Sequence, residues 1–139
     1  MYGLIMDNLT KEQRNLCMSR IRSKDTKPEK VLRGILTELG WKYRLHADKL
    51  PGRPDIVIPK IKTTIFVNGC FWHQHEGCKR NSMPKTNVVY WRRKLKRNVE
   101  KQKEDIKVLR KLRWKVFIIW ECQTKNKDHL VNEVQRILK

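Results

Sequence analysis

Pro51-Gly-Arg-Pro-Asp55-Ile-Val-Ile58, the turn Pro59-Lys60, and then Thr63-Thr-Ile-Phe-Val67 form the stretch whose reading decides the fold class. The Pro/Gly cluster delivers Asp55 onto a short apolar run, and the second turn returns the chain into another, so a hairpin is expected. Tyr43 and Leu45 place a further strand just before the first turn. Upstream, Thr26-Lys-Pro-Glu29 has the form of a capping box, with Pro tolerated in the first turn. Val31, Leu32, Ile35, Leu36 and Leu39 then recur at helical spacing until Gly40 stops the run. Thr10-Lys-Glu-Gln13 repeats the signature ahead of Leu16, Cys17 and Ile21, which predicts a short first helix.

Downstream, Val88, Trp91, Leu95, Val99, Ile106, Leu109 and Leu112 keep three-to-four spacing from Thr86 to about Arg113, the pattern of one long amphipathic helix. Val116-Phe-Ile-Ile-Trp120 is short and wholly apolar, the composition of a strand buried on both faces. Leu130, Val134, Ile137 and Leu138 predict a closing helix. Helix, helix, three strands, helix, strand, helix is the order of a layered α/β domain with a mixed central sheet flanked by helices. At 139 residues the chain fits a single domain with a real core. Repeats and low-complexity linkers are absent from the sequence.

Lys and Arg number 33 against 14 Asp and Glu, a formal charge of +19. A surface this basic repels itself unless it meets a polyanion, and nucleic acid is the first candidate. The cationic face of the long helix, around Arg92, Arg93, Lys94, Lys96 and Arg97, is the natural place for phosphates. A membrane partner is not expected, because no run of about 18 apolar residues exists. The start, Met1 to Met6, lacks a basic leader and Asp7 interrupts it, so a cytoplasmic protein without a signal peptide is expected.

The chemistry is densest in Gly69-Cys-Phe-Trp-His-Gln-His-Glu-Gly-Cys78, with two thiols and two imidazoles in one loop directly after a strand. Structural zinc takes four thiolate or imidazole ligands. Cys70, Cys78 and either His73 or His75 can come from the loop. Cys122 can supply the fourth ligand if the strand ending at Trp120 neighbours the one before the loop. The plainer alternative is ordinary core cysteines with incidental histidines, and Cys17 on the first helix reads as a core or surface thiol. Asp55, at the mouth of an apolar strand, stands where many nucleases hold Mg²⁺, an ion that wants hard oxygen ligands. A routine turn aspartate is the competing reading. Phe71 and Trp72 are adjacent, so one side of a tied loop does not easily bury both. An exposed aromatic pair beside cations suits insertion between base pairs; ordinary core aromatics, with Trp91 of the long helix among them, are the competing reading.

Together Arg22-Ser-Lys-Asp-Thr26 with Glu29, Leu50 through Asp55, Phe66-Val-Asn-Gly-Cys-Phe-Trp-His73, Asn98-Val-Glu100 with Asp105-Ile106, and Trp114 through Cys122 carry a resemblance. Over about residues 11 to 138 the chain is similar to the very short patch repair (Vsr-type) DNA mismatch endonucleases. The resemblance implies a restriction-endonuclease-like core with a structural zinc site, residues 25–139, preceded by a DNA-contacting helix or arm, residues 1–24. It implies a Mg²⁺-dependent nick in one strand of double-stranded DNA, next to the T of a T:G mismatch left by deamination of 5-methylcytosine. By position, Asp55 binds the catalytic metal with the Val67 carbonyl as a second oxygen, His73 activates water and Glu29 supports. Cys70, His75, Cys78 and Cys122 align with the zinc ligands, Phe71, Trp72 and Trp91 with the intercalating aromatics, and Met18 with an apolar wedge from the other groove.

The chain departs from the family pattern twice. Val67-Asn68 stand where the pattern has Thr-His, and the loop is one residue longer between His75 and Cys78. Asn68 can hydrogen-bond a phosphate or water but cannot take a proton, so cleavage is expected to rest on Asp55, the metal and His73 rather than on two histidines. A monomer is expected, with repair proteins and a cognate cytosine methyltransferase as further partners. The competing readings are a related endonuclease without mismatch preference and a zinc-stabilised DNA-binding protein without catalysis.

Overall fold

In the computed structural model, which describes residues 26–79 and 83–139, the elements from the second expected helix onward follow in the expected order. Helix α1 spans Lys27–Glu38, strand β1 Arg44–Leu45, β2 Ile56–Ile58 and β3 Thr63–Asn68; helix α2 spans Val88–Lys111, strand β4 Lys115–Trp120 and helix α3 Lys127–Leu138. The helix expected around Thr10 to Ile21, with Met18 and the arm of residues 1–24, lies outside the described residues. Among the described residues no helix is long and apolar enough to cross a membrane.

The four strands make one sheet in the order β1-β2-β3-β4. β1/β2 and β2/β3 are antiparallel, while β3/β4 are parallel in register from Thr63↔Lys115 to Asn68↔Trp120. The sheet is therefore mixed, as expected. The turn between β2 and β3 is a short 3₁₀ segment, Pro59–Ile61, closed by Lys62 in the left-handed region. The parallel pair needs a crossover, and the long helix α2 supplies it.

Side-chain alternation divides the sheet. Ile56, Ile58, Ile65 and Ile119 pack against Leu32, Ile35 and Leu36 of α1 and Leu130, Val134 and Ile137 of α3 in one core cluster. Asn68, one residue out of phase with Val67 in that cluster, meets Gln102 of α2, so α2 covers the opposite face. The buried hydroxyls of Thr63 and Thr64 are satisfied by the carbonyls of Ile61 and Lys115. Burying them therefore leaves no unpaired donor.

Three local expectations are corrected. Thr26 is the N-cap of α1 but makes no side-chain capping bond, and Glu29, the other half of the expected box, is buried and turned toward the end of the sheet. Only Ile119 of β4 is fully buried, with Lys115 exposed, since among the described residues β4 is an edge strand with a neighbour on one side only. Helix α2 begins at Val88, because Asn87 sits in the left-handed region at its N-cap. The end of α1 follows expectation: Gly40, at φ +81, lets the Trp41 N–H return to the Leu36 carbonyl at 3.0 Å, a closure that a side chain at Gly40 disfavours.

Candidate active site and cysteine–histidine centre

Two clusters of ligand-type side chains form at the open end of the sheet, both following from its topology. At the β1/β2 end, the pairing Leu45↔Ile56 extends one residue further, and the His46 N–H donates to the Asp55 carbonyl at 3.1 Å. Asp55 thus leaves β2 opposite His46, and its Oδ2 accepts from the Val67 N–H of β3 at 2.7 Å. Glu29, from the first turns of α1, is 5% exposed and reaches the same place, with Oε2 3.7 Å from His46 Nε2. One ligand atom from each of Glu29, His46 and Asp55 lies within 4.8 Å of the others.

Burial disfavours the charged form of Asp55; the Val67 N–H opposes this, and the neighbouring Glu29 carboxyl adds to it. The net effect pushes Asp55 up to about 7. Two carboxyls this close at a half-buried site favour either a retained proton or an added cation. Gly52, at φ +76 in the turn before Asp55, holds that turn against α2. A Cβ there meets the Asp105 Cβ at 2.8 Å, so only glycine lets the turn sit this close.

The second cluster follows from the parallel β3/β4 register. Asn68 and Trp120 are paired, and two residues beyond each the chain presents Cys70 and Cys122 side by side. The loop after β3 folds back on itself, with the His73 N–H donating to the Gly69 carbonyl and the His75 N–H to the Cys70 carbonyl at 2.8 Å. That turn carries His75 and Cys78 to the same point. Cys70, His75, Cys78 and Cys122 have ligand atoms mutually within 4.8 Å. His75 Nδ1 is 3.6 Å from Cys70 Sγ and 3.5 Å from Cys122 Sγ. The imidazole stacks on Trp120 at 4.0 Å and 7°, and the Cys70 N–H donates to Glu121 Oε1 at 3.4 Å. Burial, with Cys122 beside it, pushes the Cys70 thiol up to about 12. A thiolate therefore needs a cation in this cage.

The family model of the DNA mismatch endonuclease Vsr matches residues 6–80. Type II nicking enzyme V.XorIIP of Xanthomonas oryzae pv. oryzae is 38% identical over 132 residues, covering 95% of this chain and 96% of the relative. The DNA mismatch endonuclease Vsr of Escherichia coli is 39% identical over 123 residues, 88% of this chain and 78% of the relative. This chain belongs to the Vsr family. Type II nicking enzyme V.NmeAIP of Neisseria meningitidis serogroup A, 37% identical over 133 residues, covers 96% of the chain and 94% of the relative. As a Vsr-type endonuclease the protein acts on the phosphodiester bonds of DNA.

Within this Vsr-family chain the site residues read from sequence divide by position. Asp55 and Glu29 come together, and Cys70, His75, Cys78 and Cys122 converge. His73, on the loop after β3, is a member of neither group. Asn68 does not face open solvent as a free phosphate donor: it is 2% exposed, and its amide pairs reciprocally with Gln102 at 2.7 and 2.8 Å. Both halves of its side-chain amide are thus engaged.

The expectation of an exposed aromatic pair is also corrected. Phe71 and Trp72 are each 8% exposed and Trp91 is fully buried. The two rings stand edge-on at 76°, and both pack on Trp91 of α2. A tight turn lets adjacent side chains splay to one side, which strand alternation would have prevented. Arg92 and Arg93 are exposed on α2. Gln74 of the loop, Arg92, Lys96 and Lys103 border a shallow groove of about 340 Å³.

Sequence reasoning missed His46, Gln102 and Asn98, whose Nδ2 donates to the Trp72 carbonyl at 3.4 Å. Asn98 was visible within a family motif, but its tie to the loop was not. For His46 the available signal was its place beside the turn leading to Asp55, but a spacing of nine residues does not by itself set a hairpin register.

Proposed function

We propose that the protein nicks one strand of double-stranded DNA next to the T of a T:G mismatch, with Mg²⁺ at the Asp55 site and Zn²⁺ in the cysteine–histidine cage. The observation that carries this reading is the meeting of Asp55 and Glu29 beside Val67. Within a strand the N–H and C=O of one residue point to the same side. The Val67 carbonyl therefore projects toward the side of β3 from which its N–H reaches Asp55, and joins the carboxylates as a hard oxygen. Such a donor set suits Mg²⁺, which is held by one or two carboxylates with waters and phosphate completing its shell. When bound, the cation supplies charge neutralisation at the phosphate and acidifies water.

His73 takes the proton of the water that attacks phosphorus, the P–O bond to the sugar breaks, and the departing sugar oxygen takes a proton from solvent water. Arg92 and Arg93 hold backbone phosphates along α2. Asn68, tied to Gln102, fixes the end of β3 without accepting a proton. Phe71, Trp72 and Trp91 contribute by shaping the loop that meets DNA, since they pack on each other. The sheet with carboxylates at its open end is the layout expected of a restriction-endonuclease-like core, and residues 1–24 serve as the DNA-contacting arm.

Zinc is supported by donor type and spacing. A tetrahedral ion with bonds of about 2.3 Å to sulfur and 2.05 Å to nitrogen spaces those atoms about 3.6 Å apart, and the sulfur–nitrogen separations are 3.6 and 3.5 Å.

The test is a nicking assay on T:G and matched T:A duplexes with Mg²⁺, for the parent, Asp55→Ala and His73→Ala. The expected result is cutting of the T:G duplex by the parent, little on T:A, and a loss of at least about 100-fold in each variant with binding largely intact. Equal cutting of both duplexes refutes mismatch specificity, and undiminished cutting by Asp55→Ala refutes the site.

A further inference from the structure

We infer that His46 is a direct nitrogen ligand of the divalent cation at the Asp55 site, which makes this a mixed nitrogen–oxygen centre and sets its metal preference. The inference rests on the hydrolytic reading of that site. It comes from geometry that neither the sequence motifs nor the family match assigns to residue 46.

His46 is fixed to Asp55 through the backbone, by the 3.1 Å bond from its N–H to the Asp55 carbonyl at the end of the β1/β2 pair. Its φ of +49 turns the chain there, at the point where regular pairing stops. The imidazole Nε2 lies 3.7 Å from Glu29 Oε2, with side chains 16% and 7% exposed. Together with Asp55 these atoms fall within 4.8 Å of one another. An octahedral ion with bonds near 2.1 Å separates neighbouring ligand atoms by about 3 Å and opposite ones by about 4.2 Å. The three side chains therefore close on one ion with shifts of a few tenths of an ångström to about 1 Å. They come from α1, from the residue after β1 and from the residue before β2, so the ion joins a helix to the sheet.

Replacing an oxygen by imidazole changes which ion the site favours. Mg²⁺ is best served by carboxylate, carbonyl and water, whereas an imidazole nitrogen adds affinity for first-row transition ions, least for Mn²⁺ and more for Co²⁺ and Ni²⁺. Mn²⁺ and Co²⁺ are accordingly expected to support binding at lower concentration than Mg²⁺, with His46 responsible for the difference.

Mn²⁺ serves as the probe, added to the zinc-filled protein on a T:G duplex. Pulsed electron paramagnetic resonance then reads ¹⁴N coupling to the ion, and a titration reads its affinity. Zinc keeps His75 out of this signal. The expected result is nitrogen coupling in the parent and in His73→Gln, its loss in His46→Gln, and Mn²⁺ binding at least about 10-fold weaker in that variant. His46→Asp is expected to keep Mn²⁺ bound without nitrogen coupling and to narrow the gap between Mn²⁺ and Mg²⁺, which separates loss of a ligand from loss of the fold. Coupling that survives in His46→Gln, or is absent from the parent, overturns the assignment of His46. Nicking recorded on the same samples distinguishes this from failure of the nuclease reading, which requires a parent that cuts no duplex with either ion.

Discussion

Replacing Asp55 by Asn is expected to stabilise the magnesium-free protein while abolishing its chemistry. Asn keeps the acceptor for the Val67 N–H and offers an amide to Glu29, but carries no charge. In the fold the Asp55 carboxyl stands at about 7, against an ordinary 3.8. It holds its proton more tightly than in the unfolded chain, so stability falls as pH rises between these values. Below pH 3.8 both states are protonated and the group contributes nothing; above about 7 the full penalty is present. The span corresponds to about 4 kcal/mol. Water at the half-buried edge and relaxation of the turn reduce this, and a gain of about 2 kcal/mol at pH 8 is expected for Asp55→Asn. Urea unfolding of zinc-filled parent and variant from pH 4 to 8, without other divalent ions, measures the gap. It should open with rising pH and level off above 7. Mg²⁺ at 100 times its Kd should then raise the parent by about 2.7 kcal/mol and the variant far less. A variant less stable than the parent at pH 8, or a gap independent of pH, refutes the account of Asp55.

Five other substitutions probe the supporting structure. Cys122→Ser is expected to lose zinc and lower the melting temperature sharply, since a structural zinc contributes about 10 kcal/mol or more; unchanged zinc content by atomic absorption counts against the four-ligand cage. Trp91→Ala removes the fully buried ring on which Phe71 and Trp72 rest, and about 3 to 5 kcal/mol should be lost in urea unfolding. Gly52→Ala strains a backbone at φ +76 and meets Asp105. About 1 to 3 kcal/mol of stability should go, with nicking reduced as Asp55 shifts. Arg92→Ala and Arg93→Ala should each weaken DNA binding on any duplex and lower the slope of log affinity against log salt by about 1, read by fluorescence anisotropy. An unchanged slope removes that residue from the phosphate-binding face.

Local pattern alone was enough for the elements whose periodicity exceeds the noise of a single residue. Leu32, Ile35 and Leu36 on α1, Trp91, Leu95 and Leu109 on α2, and Leu130, Val134 and Ile137 on α3 all proved to be buried faces. The hairpin was legible because Pro59 and the two apolar runs carry their own turn chemistry. Cys122 was legible as a partner of Cys70 because parallel neighbours must end together, a rule that needs only the strand order.

What tertiary structure decided was everything that depends on which side chains face each other across long separations. Glu29 looked like half of a capping box, yet the end of the sheet claims it, since burial beside His46 and Asp55 outcompetes a bond to the helix terminus. Phe71 and Trp72 looked too close in sequence to be buried together, but a turn braced on Trp91 splays both rings into one cluster. Asn68 found Gln102, and His46 found Asp55, through register and crossover geometry. Sequence carries propensity, period and charge because these act within a few residues. Contacts between distant residues depend on how helices and strands settle against one another, and their free energy exists only once the chain has closed.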